Sequence, residues 1–583
     1  MDETVNTTER PTLKVLFLSS DTGGGHRASA ESLANQFKIL YPGSTYDLLD
    51  VFADGGVPPY NTLVESYKHL SAHPSQWKLV YTLTNSRAME LIFDKHSKLM
   101  CEQAIRKSIQ EYDPDVVVSV HPMMTNVPVL SCEKISEETG RHLPIFTVVT
   151  DLGSAHSTWF ANGVDRMYIA SDQIRELAKT RGNLPDGKLV QIGLPIRHQF
   201  AVQAKLLGDR MSEAGKAYQH KLRFDLDLPH VDRKTILVMG GGEGVGSLSN
   251  IVDALYNEFV VKGIDAVILV VCGRNEELKN ELEDKDWDYV VSRFAMMKIS
   301  TSPRKLSDLA FKKCTIPLDT EPINGCMGGG VTKTLRRILS ASSLSRQNAV
   351  HDAVSINETG QNNSVGKSKE EPSPSNNLDL QQSNSDGEAI EKGSSKFQFS
   401  DTRHLEETFA ECYTEISEDY QNSDPNEDQS VVTFDQKGSV AVVGLGFVTK
   451  MAEYMAAADV LVSKAGPGTI AEAAAVSLPV MLTSFLPGQE EGNIDFVVNG
   501  EFGEYISDTN PSDIAQELAK WLMDENKMAK LSDAAKAHGA PNAARDIVKN
   551  IGDLSLQWKK INDSRDVLNK AAEALSISTI EKD

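Results

Sequence analysis

The sequence predicts an α/β protein made of two doubly wound domains, each a parallel sheet flanked by helices, facing one another across a cleft. Three observations predict it. Short Val/Ile/Leu runs alternate with helix-periodic stretches, the alternation comes as two successive series, and glycine-rich turns follow strands in both. Near-continuous apolar runs are what strands buried on both faces require, and helices supply the crossovers that parallel pairing needs.

The first series holds LKVLFLSS (13–20), TYDLLDVF (45–52), DVVVSVHP (115–122), IFTVVTDL (145–152), RMYIAS (166–171) and LVQIGLP (189–195). The second holds TILVMG (235–240), AVILVVCG (266–273), SVAVVGLGF (439–447), DVLVSKAG (459–466) and PVMLTSF (479–485). A strand, a glycine turn and a helix open each series, the beginning of a Rossmann-like domain, with ligands expected past the strand ends. The predicted organisation is a flexible N-terminus (1–12), a first domain (13–205) and a second domain split over 230–290 and 436–550. An acidic insertion (291–435) interrupts the second domain, and a helical tail (551–583) closes the chain. Amphipathic patterns in PSDIAQELAKWL, KMAKLSDAAKA and PNAARDIVKNIGDLSLQWKKI predict helices after residue 508, the last packing back on the first domain.

Charge is unevenly placed. The chain of 583 residues carries a formal net charge of −23, and residues 351–430 alone hold 18 acidic side chains against 5 Lys/Arg. Stretches such as NETGQNNSVGKSKEEPSPSNNLDL (357–380) are too polar to offset the entropy of ordering, which predicts a disordered insertion. Its basic front, TKTLRRILSASSLSRQ (332–347), reads as a solvated helix, a phosphorylation target or a contact for anionic lipid. The acidic balance excludes a nucleic-acid binder, which needs basic surface to displace phosphate counterions. No run approaches the roughly 18 apolar residues of a membrane-spanning helix. Six scattered cysteines without metal spacing read as reduced intracellular thiols. Residues 1–12 lack the apolar core of a signal peptide and the composition of a transit peptide.

Candidate chemistry clusters past the strand ends. In SDTGGGHRASA (20–30), glycines including Gly24 and Gly25 allow close backbone approach, and the following helix offers free N–H groups. His26, at the junction of loop and helix, is placed to take a proton from a hydroxyl; otherwise it caps or packs. VMGGGEGVGSLSN (238–250) repeats the device in the second domain. SKAGPGTIAEAAA (463–475) is the strongest site: Gly466, Pro467, Gly468 and Thr469 offer N–H groups and a hydroxyl to a diphosphate. Glu472, one turn on, would accept from a ribose diol or serve as the partner of a Thr469 capping box. Gln489, Glu490 and Asn493 follow a Pro-Gly turn and suit sugar hydroxyls. Asp151 either shares the proton of His26 or caps a turn. Residues 57–100 carry Tyr60, Tyr67, Trp77 and Tyr81 among Leu, Met and Lys, a pattern for a membrane-dipping segment or an ordinary core helix. DPD (113–115), DLD (225–227) and DKDWD (284–288) read as turns and solvated edges, leaving no metal site predicted.

Together these residues resemble the monogalactosyldiacylglycerol synthases, GT-B glycosyltransferases related to the bacterial enzyme that adds N-acetylglucosamine to a lipid carrier. The motifs that carry the resemblance run in the family's order over about 13–290 and 436–550. They are SDTGGGHRASA, ESYKHLSAHPSQWK, VVSVHP, TVVTDL, HSTWF, GLPIR, LVMGGGEGVG, VCGRN, SKAGPGTIAEA and LPGQEEGN. The resemblance implies inverting transfer of galactose from UDP-galactose to the sn-3 hydroxyl of diacylglycerol, at the surface of a plastid envelope, with no metal or other cofactor. It implies His26 as base, assisted by Asp151. It implies donor contacts at Gly24, Gly25, Gly241, Gly242, Glu243, Arg274, Phe447, Val448, Gly466, Pro467, Gly468, Thr469, Glu472, Gln489, Glu490 and Asn493. Acceptor and membrane contacts are implied at Tyr67, Trp77, His121, Pro122 and Trp159, with anionic lipids as further partners. The chain departs from the family in its long acidic insertion, in Glu491 where a basic residue is expected, and in the transit peptide. Glucosyl transfer to diacylglycerol, a non-catalytic scaffold on the same fold and a UDP-sugar epimerase stay open as alternatives.

Overall fold

A computed structural model describes residues 12–20, 22, 24–240, 248–300 and 438–580. The chain divides into Met1–Pro303 with Thr433–Asp583, and Arg304–Val432. The second of these units, and with it most of the predicted insertion and its basic front, lies outside the described residues.

The N-terminal lobe is built on β1 (Lys14–Leu18), β2 (Thr45–Leu49), β3 (Val116–Ser119), β4 (Ile145–Val148), β5 (Arg166–Ile169) and β6 (Leu189–Gln191). They form one parallel sheet in the order β2-β1-β3-β4-β5-β6. The C-terminal lobe is built on β7 (Lys234–Met239), β8 (Ala266–Val271), β9 (Val440–Leu445), β10 (Val460–Lys464), β11 (Val480–Ser484) and β12 (Gly503–Tyr505). These are also parallel, in the order β12-β11-β10-β7-β8-β9. Each sheet reverses its strand order once, between β1 and β3 and between β7 and β10. Crevices open at such reversals, because the loops on either side turn away from each other.

The two-sided burial expected of these strands is present: every residue of β3 and β4 is buried, as are Ile236–Val238 of β7 and Ala266–Val270 of β8. Three segments differ from the sequence reading. The run 45–52 is a strand only to Leu49, because Asp50 accepts from the N–H groups of Phe52 and Ala53 and starts a helix, Val51–Gly55. β12 carries only three residues, Gly-Glu-Tyr, and has no apolar run to announce it; a Cβ on Gly503 would meet Val480 O at 2.0 Å. The helix Trp287–Ser300 continues past the predicted domain edge at 290.

The C-terminal helix, Ala543–Ile580, is continuous across the boundary predicted at 550/551. It leaves the C-terminal lobe and lies on the first sheet, where Ala544, Ile547, Val548 and Ile551 share a core with Phe17, Phe37 and Tyr41. Gly552 lets the helix approach so closely that a Cβ there would stand 2.3 Å from the Tyr41 ring. Tyr41 Oη donates to Lys549 O (3.1 Å) and Asp553 Oδ1 (2.9 Å), while Asn550 Oδ1 accepts from Arg166 (3.0 Å) and Tyr168 (2.6 Å). Between the lobes, buried Arg210 donates to the carbonyls of Met455, Ala458 and Val476, so residues beyond 205 already belong to the C-terminal lobe.

Candidate active site

His26 sits at the reversal between β1 and β3. The helix after β1 starts at Gly24, so His26 lies inside its first turn and not ahead of it. Its Nδ1 is 2.8 Å from Thr150 Oγ1, just past β4. The rings of His121 (4.7 Å between centroids) and Trp159 (6.0 Å) enclose it. Burial strips water from the imidazole and lowers its pKa to about 4, with the Val120 carbonyl opposing slightly. Burial therefore favours the neutral imidazole, which carries a lone pair.

Asp151 does not pair with His26. Its Oδ2 accepts from Trp159 Nε1 at 2.7 Å, and burial lifts its pKa to about 7, with nearby Glu490 adding to the rise. His121 and Trp159, read as acceptor and membrane contacts, are interior residues, 4% and 0% exposed. His121 uses both ring nitrogens, accepting from Met123 N–H at 3.3 Å and bonding Thr22 Oγ1 at 2.7 Å. Pro122 opens the short 3-10 turn that holds it there.

The loop past β4 meets the C-terminal lobe directly. Gly153 and Gly492 touch backbone to backbone, since a Cβ on Gly153 would fall 1.7 Å from Gly492 O. Asn493, fully buried, accepts from Gly153 N–H (3.0 Å) and donates to Ala465 O (2.9 Å). Ser154 donates to Gln489 O at 2.7 Å. Asn493 therefore ties the end of β4 to the end of β10, and both polar atoms of its amide are engaged by backbone; the sequence reading had it facing a sugar. Gln489 Oε1 is buried and has no hydrogen-bond partner among the described residues. Glu490 is held by Lys464 Nζ and by the N–H of Leu486 (2.8 Å). Glu491, the unexpected acid, accepts from Gly488 N–H at 3.3 Å and so closes the turn before its helix.

Past β10, Gly466 is the N-cap and Pro467 the first residue of the helix Pro467–Ala475. Thr469 is therefore inside the first turn and forms no capping box with Glu472. A Cβ on Gly468, Gly446 or Gly25 would meet nothing within 4 Å, so the protein's own packing does not demand glycine at these strand ends. Glu472 is bound by Arg197 through two bonds, Nε–Oε1 (2.8 Å) and Nη2–Oε2 (2.9 Å). Burial raises its pKa and Arg197 opposes the rise. Arg197, from the GLPIR stretch between the lobes, is the site residue that the sequence reading passed over; a cation beside an apolar hinge was its signal. Arg274 is exposed past β8, and Phe447 (73% exposed) and Val448 follow β9. Gly241, Gly242 and Glu243 lie outside the described residues.

An aromatic series leads away from Asp151. Tyr81 and His156 rings stand 5.3 Å apart, Trp77 and Tyr81 5.9 Å, Tyr67 and Trp77 5.2 Å. Burial pushes the Tyr67 hydroxyl to about 12, and Glu490 and Asp151 push the same way. Beyond the rings, Leu79, Leu83, Leu91, Ile92, Leu99 and Met100 are exposed on the helices Pro74–Thr84 and Arg87–Tyr112. Trp77 itself is half-buried, so the aliphatic side chains form the outer face. No described helix is long and apolar enough to cross a membrane.

Residues 26–196 match the family model for monogalactosyldiacylglycerol (MGDG) synthase, and residues 393–550 match that for the glycosyltransferase family 28 C-terminal domain. Monogalactosyldiacylglycerol synthase 2, chloroplastic, of Arabidopsis thaliana is 26% identical over 553 residues, 94% of this chain and 82% of that protein. The chloroplastic synthase of Spinacia oleracea is 25% identical over 552 residues, 93% of this chain and 73% of that protein. Among solved structures, MurG of Acinetobacter baumannii aligns at 10% identity with a TM-score of 0.45, covering 93% of this chain and 100% of that one.

Proposed function

Taking the chain as a glycosyltransferase related to the monogalactosyldiacylglycerol synthases, we propose that it transfers galactose from UDP-galactose to the sn-3 hydroxyl of 1,2-diacylglycerol with inversion, releasing UDP. The observation that carries the reading is the unbroken contact path from His26 through Thr150 and Gly153 to Asn493, Ala465 and Gly466. It links the loop that meets the imidazole to the loop that opens the helix Pro467–Ala475.

In this mechanism His26 removes the proton of the glycerol hydroxyl as that oxygen attacks the anomeric carbon from the face opposite UDP. The bond from that carbon to the diphosphate breaks, and the leaving charge meets the N–H groups at Gly468 and Thr469 and the positive end of their helix. No metal is needed for that step. Glu472, oriented by Arg197, keeps lone pairs for a ribose diol, and the buried Gln489 Oε1 accepts from a sugar hydroxyl. Phe447 and Val448 hold the uracil through backbone groups in this reading, a role taken from the resemblance.

The acceptor arrives from a membrane surface, which we place at a plastid envelope by kinship with the chloroplastic synthases. Docking is peripheral, through the aliphatic face of Leu79, Leu83, Leu91 and Ile92 with exposed Lys68 and Lys78 beside it. A local basic and apolar patch overcomes the repulsion that a net charge of −23 would meet at an anionic leaflet. The test is competition of UDP-galactose against UDP-glucose on diacylglycerol in mixed micelles, with the product identified. Galactolipid as the main product is expected; glucolipid would overturn the donor, and UDP-sugar conversion without lipid would overturn the reaction.

A further inference from the structure

Two histidines and two threonines fasten the end of β1 to its neighbours. His26 Nδ1 meets Thr150 Oγ1 at 2.8 Å, and His121 Nε2 meets Thr22 Oγ1 at 2.7 Å. All four side chains are buried, between 3% and 9% exposed. The bonds cross: Thr22 and His26 flank the glycines after β1, His121 follows β3 and Thr150 follows β4.

The two histidines differ in how their tautomers are set. His121 Nδ1 accepts the Met123 N–H, so its Nε2 must carry the proton and donate to Thr22. That leaves His121 no free lone pair, and its part is to hold the loop. His26 has a hydroxyl at Nδ1 instead, with the Val120 carbonyl as a further hydrogen-bond partner of the ring. In the tautomer able to act as a base, Nδ1–H donates to Thr150 and Nε2 keeps its lone pair. The same bond survives when Nε2 gains a proton, so the ring need not turn during transfer.

A carboxylate would be the more familiar partner for such a ring, and one is next door. Asp151 is turned to Trp159 Nε1, which leaves a neutral group facing the imidazole. A hydroxyl orients the ring without adding the negative charge that would stabilise imidazolium in the resting site.

We propose that Thr150 is the positioning residue of His26, fixing its orientation and tautomer as Thr22 and His121 fix the loop that carries it. This rests on the reading of His26 as base. The experiment measures kcat, donor KM and the pH profile of kcat/KM for full-length Thr150→Val, Thr150→Ser and Thr150→Asp in mixed micelles, with His26→Ala alongside. Thr150→Val should lose roughly 10–100-fold in kcat at unchanged donor KM, the size of loss that a misplaced group causes. Thr150→Ser should recover most of it. Thr150→Asp should move the acid limb of the profile up by about one pH unit or more, because a carboxylate then faces the ring. Wild-type kcat in Thr150→Val overturns the proposal. Should that variant fail to fold, an unmoved acid limb in Thr150→Asp overturns it equally. If His26→Ala is inactive while the Thr150 variants behave as wild type, this inference alone fails. Near-normal turnover in His26→Ala fails the base reading itself.

Discussion

At the strand ends of the N-terminal lobe, His26 and His121 are held uncharged by burial, and Asp151 is lifted to about 7. At the strand ends of the C-terminal lobe, each of two acids has a basic partner: Lys464 meets Glu490 and Arg197 meets Glu472. Both lobes are six-stranded parallel sheets with one reversal of order, so the fold does not cause the difference. What differs is what the loops leave behind. The N-terminal loops pack Trp159, His121 and Thr150 around the titratable groups and exclude water. The C-terminal loops leave Gly468 and Gly446 open, and two acids there meet a cation, Glu490 at Lys464 and Glu472 at Arg197 of the hinge. One lobe is suited to moving a proton and the other to holding an anionic ligand. The lobes meet at Gly153, Gly492 and Asn493, at Ser154 and Gln489, and through the C-terminal helix, so each keeps its own strand-end loops.

The contrast breaks first at His26. His26→Ala should lower turnover by about 10²–10⁴-fold, the usual worth of a general base, while UDP binding measured by calorimetry stays unchanged. Loss of UDP affinity instead would put His26 in the anion-holding lobe's task.

Asn493→Ala removes the link between the lobes and leaves the Gly153 N–H and Ala465 carbonyl unpaired. Thermal unfolding should show a loss of about 1–3 kcal/mol, and kcat should fall more than donor KM rises. An equal change in both would make Asn493 a donor contact and not a tie.

Leu83→Ser with Leu91→Ser should weaken liposome binding by about tenfold or more, since each buried leucine is worth roughly 1.5–3 kcal/mol, with turnover on a soluble short-chain acceptor retained. Mutating Trp77 with Lys68 and Lys78 tests the basic and aromatic edge of the same face. Unchanged sedimentation with vesicles in both sets would remove this surface from docking.

The smallest effect concerns pH. The folded-state pKa of Asp151 is raised from 3.8 to about 7, so ionising it opposes folding above pH 7. That opposition fades as pH falls from 7 towards 3.8. Asp151→Asn should raise the melting temperature by about 2–4 °C at pH 8 and leave it unchanged at pH 4. His26 acts in the opposite sense: its pKa falls from 6.5 to about 4, so stability is lost as pH drops through that window. His26 is present in both proteins, so its contribution cancels from the difference. A larger gain at pH 4 than at pH 8 would contradict a buried, raised carboxyl.

The sequence by itself determined the two sheets, because each predicted run maps on a parallel strand, buried in the inner strands such as Val15–Leu18 and Val480–Leu482 and only partly so in the edge strands β2, β6 and β9. It also located the glycine turns and His26, whose chemistry is local to a strand end. Tertiary structure alone decided the partners. Asp151 faces Trp159 and not His26, Thr150 takes His26, and Arg197 takes Glu472 across 275 positions of chain. Asn493 became a tie because its amide meets Gly153, 340 positions away. β12 was illegible because three residues without an apolar pattern become a strand only when β11 offers an edge. Hydrophobic periodicity is written along the chain and can be read there. Hydrogen-bond partners and the desolvation that sets a pKa depend on which distant loops are brought together, and only the folded chain brings them together.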